Sequence, residues 1–216
     1  MRDEITVAVD DAVDGGRGVD ARGAISRADL FRRALLTGGA LVVGGVVVTG
    51  VPELAAASKP SGSQDDAILN YLLVVEFLQA AFYRKAVQKG ALTGDLLRFA
   101  QVAAGDEKTH VNVLKSKLGP KARREPAFHF GSATASAREF AKAAAVLEEA
   151  GVSAYIGQGA NLTRAVATSV ARIASVEGRH AAWIRDILHE LPAPRVADVG
   201  KSQSDVMAAI KSTSFV

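Results

Sequence analysis

The sequence predicts an all-α fold: a four-helix bundle of two helical hairpins joined by a long crossover, with a short helix near the C-terminus. Three observations carry this. About half of the 216 residues are apolar and only 6% are aromatic, and alanine is abundant, a composition that favours packed helices over the β-branched alternation of strands. Four segments repeat apolar residues at the spacing of one helix face. Each of those apolar seams is interrupted by glutamate or histidine at positions that should be buried.

The length suits one domain with a substantial core. Cysteine is absent, which excludes disulfides, thiolate nucleophiles, zinc ribbons and iron–sulfur ligation. Any metal must therefore be held by oxygen and imidazole nitrogen. The formal net charge is only +3, and the basic residues are scattered through every expected helix. Lys121, Arg123 and Arg124 alone bunch together, in an expected loop, so no nucleic-acid partner is expected.

Residues 1–57 read as an export signal. Ser26, Arg27, Ala28, Asp29, Leu30, Phe31, Arg32 and Arg33 precede an apolar stretch, Ala34 to Val51, with five glycines and no charge. Ala55, Ala56 and Ala57 supply a small-residue cleavage site, with Ser58 as the first mature residue. Positions 26 to 32 resemble the twin-arginine export signal, which moves proteins already folded with their cofactors. Here Ala28 stands where the second arginine belongs, so a general secretory signal or an uncleaved membrane anchor stays open. The expected location is outside the cytoplasm, periplasmic, cell-envelope or extracellular, with no stable membrane span once the signal is cleaved.

Residues 58–65 form a linker, and the bundle occupies 66–191. The first helix carries Leu69, Leu72, Glu76, Ala80, Tyr83 and Val87 along one face and ends at Gly90. The second begins near Thr93, carries Leu97, Ala100, Glu107, His110 and Leu114, and stops at Gly119-Pro120. The short connection makes these two antiparallel. Residues 119 to 135 lack helical periodicity and are long enough to cross from one end of a bundle to the other. The third helix runs from about Ser136 to Gly157 through Phe140, Leu147, Glu148, Val152 and Tyr155. After a loop at Gly159 to Leu162, the fourth keeps a heptad seam at Val166, Val170, Ile173, Glu177, His180, Ile184, Ile187 and Leu191. Residues 192–216 form a tail that wraps the bundle and ends in a short helix near Asp205 to Lys211.

A buried carboxylate is costly unless it is paired or bound to metal, and the interruptions are patterned. Glu76 stands alone on the first helix and Glu148 alone on the third, whereas Glu107 with His110, and Glu177 with His180, form Glu-x-x-His pairs on the second and fourth. Residues three apart project from one helix face, so each pair can offer oxygen and nitrogen to one cation. Two single glutamates and two such pairs match the core arrangement of carboxylate-bridged di-metal bundles. The four carboxylates balance the charge of two divalent ions. Register agrees: Glu76 and Glu107 are equidistant from the first turn, and Glu148 and Glu177 from the second, so each pair lies at similar depth. The two half-sites expected are Glu76 with Glu107 and His110, facing Glu148 with Glu177 and His180.

The halves resemble a duplicated hairpin, with Tyr83 and Tyr155 each seven residues after a single glutamate. Each tyrosine either donates its hydroxyl to a ligand carboxylate or shields the centre, unless it is a plain core residue. Asp106 could reach a histidine on a neighbouring helix, or else is solvated; Val176 holds the equivalent place before Glu177. Gly151, three after Glu148, either opens space for oxygen or peroxide or allows close helix packing. Glu149 points away from Glu148, to the surface or to a swap role. His129 and His189 lack a ligand's spacing.

The motifs Glu76 with Tyr83, Asp106-Glu107-Lys108-Thr109-His110, Leu147-Glu148-Glu149-Ala150-Gly151-Val152-Ser153-Ala154-Tyr155 and Glu177-Gly178-Arg179-His180 resemble the ferritin-like superfamily, and more narrowly its exported branch that includes desiccation-related proteins. The similarity covers about residues 64 to 216. It implies this bundle and a di-metal centre, iron or manganese, for iron oxidation, oxygen activation or peroxide removal. The functions that follow are a di-iron oxidase or ferroxidase acting on O2 or peroxide, manganese catalase-like disproportionation of peroxide, or a non-enzymatic desiccation-protective protein with a structural metal. Association into a homo-oligomer is open.

Overall fold

The computed structural model describes residues 60–215 and, nearer the N-terminus, two three-residue strands. Strand β1 (Leu41–Val43) pairs antiparallel with β2 (Val46–Val48), Leu41 opposite Val48 and Val43 opposite Val46. No strand was expected in this apolar stretch; its β-branched valines favour extended backbone. The rest of the segment read as an export signal lies outside the described residues.

Residues 60–215 are helical and form a compact unit of their own. Helix α1 (Gly62–Lys89) starts earlier than periodicity implied, because the Ser61 side chain caps it by accepting from the Gln64 N–H at 3.3 Å. Asp65 in its first turn is buried and accepts from the backbone N–H of Thr163 at 2.9 Å. The start of α1 thus also secures the entry to the last bundle helix. Gly90, at φ 68°, ends α1 in the left-handed conformation that glycine adopts without a Cβ penalty. Helix α1 is long and apolar enough to cross a membrane by length and composition, but most of it is buried within this unit.

Helix α2 (Gly94–Leu118) folds back on α1 and stops where Gly119 takes φ 56° before Pro120. The crossover follows as two short 3-10 turns, Gly119–Lys121 and Gly131–Thr134, with irregular chain between them. Asn70 staples its start to α1: the amide donates to Lys121 O at 3.1 Å and accepts from Arg123 N–H at 2.8 Å. Helix α3 (Ala137–Gly159) is capped by Ser136, and α4 (Arg164–Ile187) packs against it.

The seam of α4 ends sooner than expected. Leu191 is 74% exposed and lies beyond the helix, because the chain leaves helical geometry at His189, at φ 60°, ahead of Pro192. The tail then crosses α3, where Lys201 N–H donates to Ser153 O at 3.1 Å. Here Gly157 and Gly200 meet backbone to backbone, and a Cβ on either would collide with the other segment. Glu149 pairs with Arg185 and Arg195, so it ties the tail to α3 and α4 rather than serving the core. Helix α5 (Gln203–Ser212), capped by Ser202, covers the expected C-terminal helix and buries Val206 and Ile210.

Candidate metal centre

All six sequence-predicted ligands come together in the bundle core. Glu76, Glu107, Glu148 and Glu177 are fully buried, and His110 and His180 nearly so. Each sits on the inward face of its helix with apolar neighbours one turn away: Leu72 and Ala80 around Glu76, Ala103 and Leu114 around the Glu107 pair, Ala144 before Glu148, and Ile173 and Ile184 around the Glu177 pair. The periodicity that buries those apolar residues carries the ligands inward with them.

His110 Nδ1 lies 2.9 Å from Glu107 Oε2, 3.2 Å from Glu76 Oε2 and 3.2 Å from Glu177 Oε1. His180 Nδ1 lies 3.0 Å from Glu107 Oε1 and 3.4 Å from Glu148 Oε2. Two overlapping groups result: Glu76, Glu107, His110 and Glu177, and Glu107, Glu148 and His180. This corrects the expected division into half-sites. Glu177 joins the His110 group rather than its own hairpin's, and Glu107 belongs to both. A Glu-x-x-His pair shares a helix face, but a glutamate side chain is long enough for its oxygens to cross to the facing helix.

Five of the converging atoms are buried without a hydrogen-bond partner: Glu76 Oε2, Glu107 Oε1, Glu148 Oε2, Glu177 Oε1 and His180 Nδ1. Carboxylate oxygens and imidazole nitrogen, close to one another yet without hydrogen-bond geometry, are the donor set of a divalent cation. Without a cation, burial pushes the Glu76 carboxyl up to about 8, with Glu107 adding to the shift. Burial likewise lifts Glu177 to about 8, reinforced by Glu76, and raises Glu107 beside Glu177. Burial opposes a charge on either histidine, but the surrounding carboxylates win: they raise His110 strongly and push His180 up to about 11.

The two tyrosines reach across the bundle. Tyr83 donates its hydroxyl to Glu148 Oε1, and Tyr155 donates to Glu76 Oε1, so each hairpin orients the single glutamate of the other. Burial beside these carboxylates keeps both phenols protonated, well above their ordinary range. Asp106 does reach a neighbouring helix: its Oδ2 lies 3.1 Å from His180 Nε2. Such a contact directs Nδ1 toward the cluster. Gly151 does not open space. A Cβ there would collide with Glu177 Oε2, so the room that glycine leaves is occupied by the Glu177 carboxylate. His129 and His189 are exposed and belong to neither group.

One contributor escaped the sequence reading. Gln79, fully buried on α1, donates through Nε2 to Glu177 Oε2 at 3.1 Å and to Glu148 Oε1 at 3.2 Å. Its signal was present: a polar residue three after Glu76 and four before Tyr83, on the same helix face.

The ferritin-like domain family model matches residues 64–190, most of the helical unit. No curated protein matches the chain.

Proposed function

Because the chain belongs to the ferritin-like domain family, we propose that the cluster binds two divalent metal ions, iron in the first place, and that their reaction with O2 or peroxide is the protein's activity. The observation that carries this reading is the convergence of five buried, unpartnered donor atoms on one region of the core. One ion would be held by Glu76, Glu107, His110 and Glu177, the other by Glu107, Glu148 and His180, with Glu107 shared. Iron bound there would supply the electrons that reduce O2 or peroxide.

The chain's own residues provide the rest. Four buried carboxylates would balance the charge of two divalent ions and leave a nearly neutral core. Tyr83 and Tyr155 hold Glu148 and Glu76 in place from opposite hairpins. Complete burial of the carboxylates keeps bulk water from them. Protons that the raised carboxyls hold at neutral pH must leave when cations enter, so uptake releases acid. Export is part of the proposal, supported by the arginine-flanked apolar stretch and alanine cleavage site of residues 26–57. Within the family, an exported, desiccation-related setting fits that leader.

Elemental analysis of protein purified from its own host tests the reading, with about two iron ions per chain expected. Fe(II) and O2 should then give a ligand-dependent ultraviolet absorption that Glu107→Ala abolishes, because that substitution removes a donor from both positions. Two manganese ions with oxygen evolution from peroxide would redirect the chemistry to disproportionation. A chain that takes up neither metal rules the proposal out.

A further inference from the structure

Glu107 and Glu177 hold equivalent places in the duplicated hairpin, each opening a Glu-x-x-His pair, yet their oxygens are used differently. Glu107 divides its two oxygens between His110 and His180, at 2.9 and 3.0 Å. Glu177 places Oε1 3.2 Å from His110 Nδ1, while its Oε2 accepts from Gln79. The same Gln79 amide, with Tyr83, holds Glu148 Oε1. With both carboxylates ionised, as two bound cations would hold them, the amide N–H faces them, since the amide oxygen in that position would meet two acceptors. The counterpart of Gln79 in the other hairpin, three residues after Glu148, is Gly151, which has no side chain to donate. That glycine also leaves the space in which Glu177 Oε2 and Gln79 Nε2 meet.

We propose that Gln79 is a positioning residue that makes the two metal positions inequivalent, by withholding Glu177 Oε2 from the His180 side. The inference rests on the two-ion reading above. His110 is faced by oxygens of three carboxylates, Glu76, Glu107 and Glu177, and His180 Nδ1 by two, Glu107 and Glu148. Attraction for a hard cation grows with the number of anionic oxygens around it. The His110 side therefore fills first. Without the amide donor, Glu177 Oε2 is released to turn toward His180, as Glu107 Oε1 already does.

The test is an anaerobic titration of the metal-free full chain with Co(II) alone, followed by calorimetry and visible absorption. The wild type should bind two equivalents in steps separated by at least about tenfold in Kd, the scale of effects from groups that orient ligands, and the two equivalents should give different spectra. In Gln79→Leu and Gln79→Met, which keep side-chain volume but lose the donor, the steps should converge and the two spectra grow more alike, with Asp106 on His180 the remaining difference. Methionine adapts to irregular cores, so it carries the test if the leucine variant misfolds. Equal steps in the wild type, or an unchanged separation in the folded variants, would overturn this inference alone. Failure of the wild type to bind Co(II) would overturn the two-ion reading as well.

Discussion

The hairpin of α1 and α2 and the hairpin of α3 and α4 carry the same skeleton: a single glutamate, a tyrosine seven residues on, and a Glu-x-x-His pair on the partner helix. Around that skeleton they diverge. The first hairpin adds Gln79 and Asp106, and both act across the bundle, on Glu148 and Glu177 and on His180. The second has Gly151 and Val176 at those places. Their burial diverges too. Helix α1 buries residues on nearly every face, including Leu72, Leu73, Phe77 and Phe82, while α4 buries one stripe through Val170, Ile173, Glu177, His180 and Ile184. The hairpins share the ligands, but the first supplies most of what aims them. Neither completes the centre alone, since each tyrosine bonds the other's glutamate. The centre's donor groups are aimed only where the two hairpins meet.

That dependence can be tested hardest through metal and pH. In the metal-free protein burial pushes the Glu76 carboxyl from the ordinary 4.5 up to about 8 and raises Glu177 in the same direction, so the folded state holds more protons than the unfolded chain in between. Their contribution is full below about 4.5 and is lost as pH rises through 8. Thermal melts of metal-free protein should therefore show Tm falling from pH 5 to pH 8. Bound metal would replace those protons, so the gap between loaded and metal-free protein should widen over the same range. At a hundredfold excess over Kd each bound ion would add about 2.7 kcal/mol. A Tm difference independent of pH would separate metal binding from the buried carboxylates.

A second test sets two glycines of the second hairpin against each other. Gly151→Ala forces a methyl group into Glu177 Oε2, which Gln79 pins, and should destabilise by about 1–3 kcal/mol. Gly178→Ala, one residue from the same glutamate, meets nothing within 4 Å and should stabilise by about 0.5–1 kcal/mol through helix propensity. Denaturant titrations giving both variants the same sign would contradict the placement of Glu177.

A third test concerns Asp106, which has no counterpart at Val176. Asp106→Asn should weaken one of two Co(II) binding steps about tenfold, about 1.4 kcal/mol, and leave the other within error. Equal weakening of both would mean that Asp106 does not act through His180 alone.

The skeleton of the site was legible because helical periodicity is local. Glu76, Glu107, His110, Glu148, Glu177 and His180 interrupt apolar seams, and spacing alone placed them inward and at matching depth. The pairing within the site was not, because a glutamate chooses its partners from facing helices, at distances that no spacing along one helix encodes. Glu177 therefore turned out to join His110. Gln79 was overlooked because an uncharged amide in a seam attracts notice only when the acceptors opposite it are known. Leu191 continued the heptad on paper, but the turn at His189 ended α4 first.

Residue order along the chain determined the all-α class, the two hairpins, the crossover and the six candidate ligands, because each follows from a local period, a glycine or proline stop, or the absence of cysteine. Tertiary structure alone decided that Glu107 faces both histidines and Glu177 faces His110, that Gly151 makes room for a carboxylate rather than a substrate, and that Glu149 fastens the tail. Those are contacts between segments distant in sequence, set by how the hairpins dock.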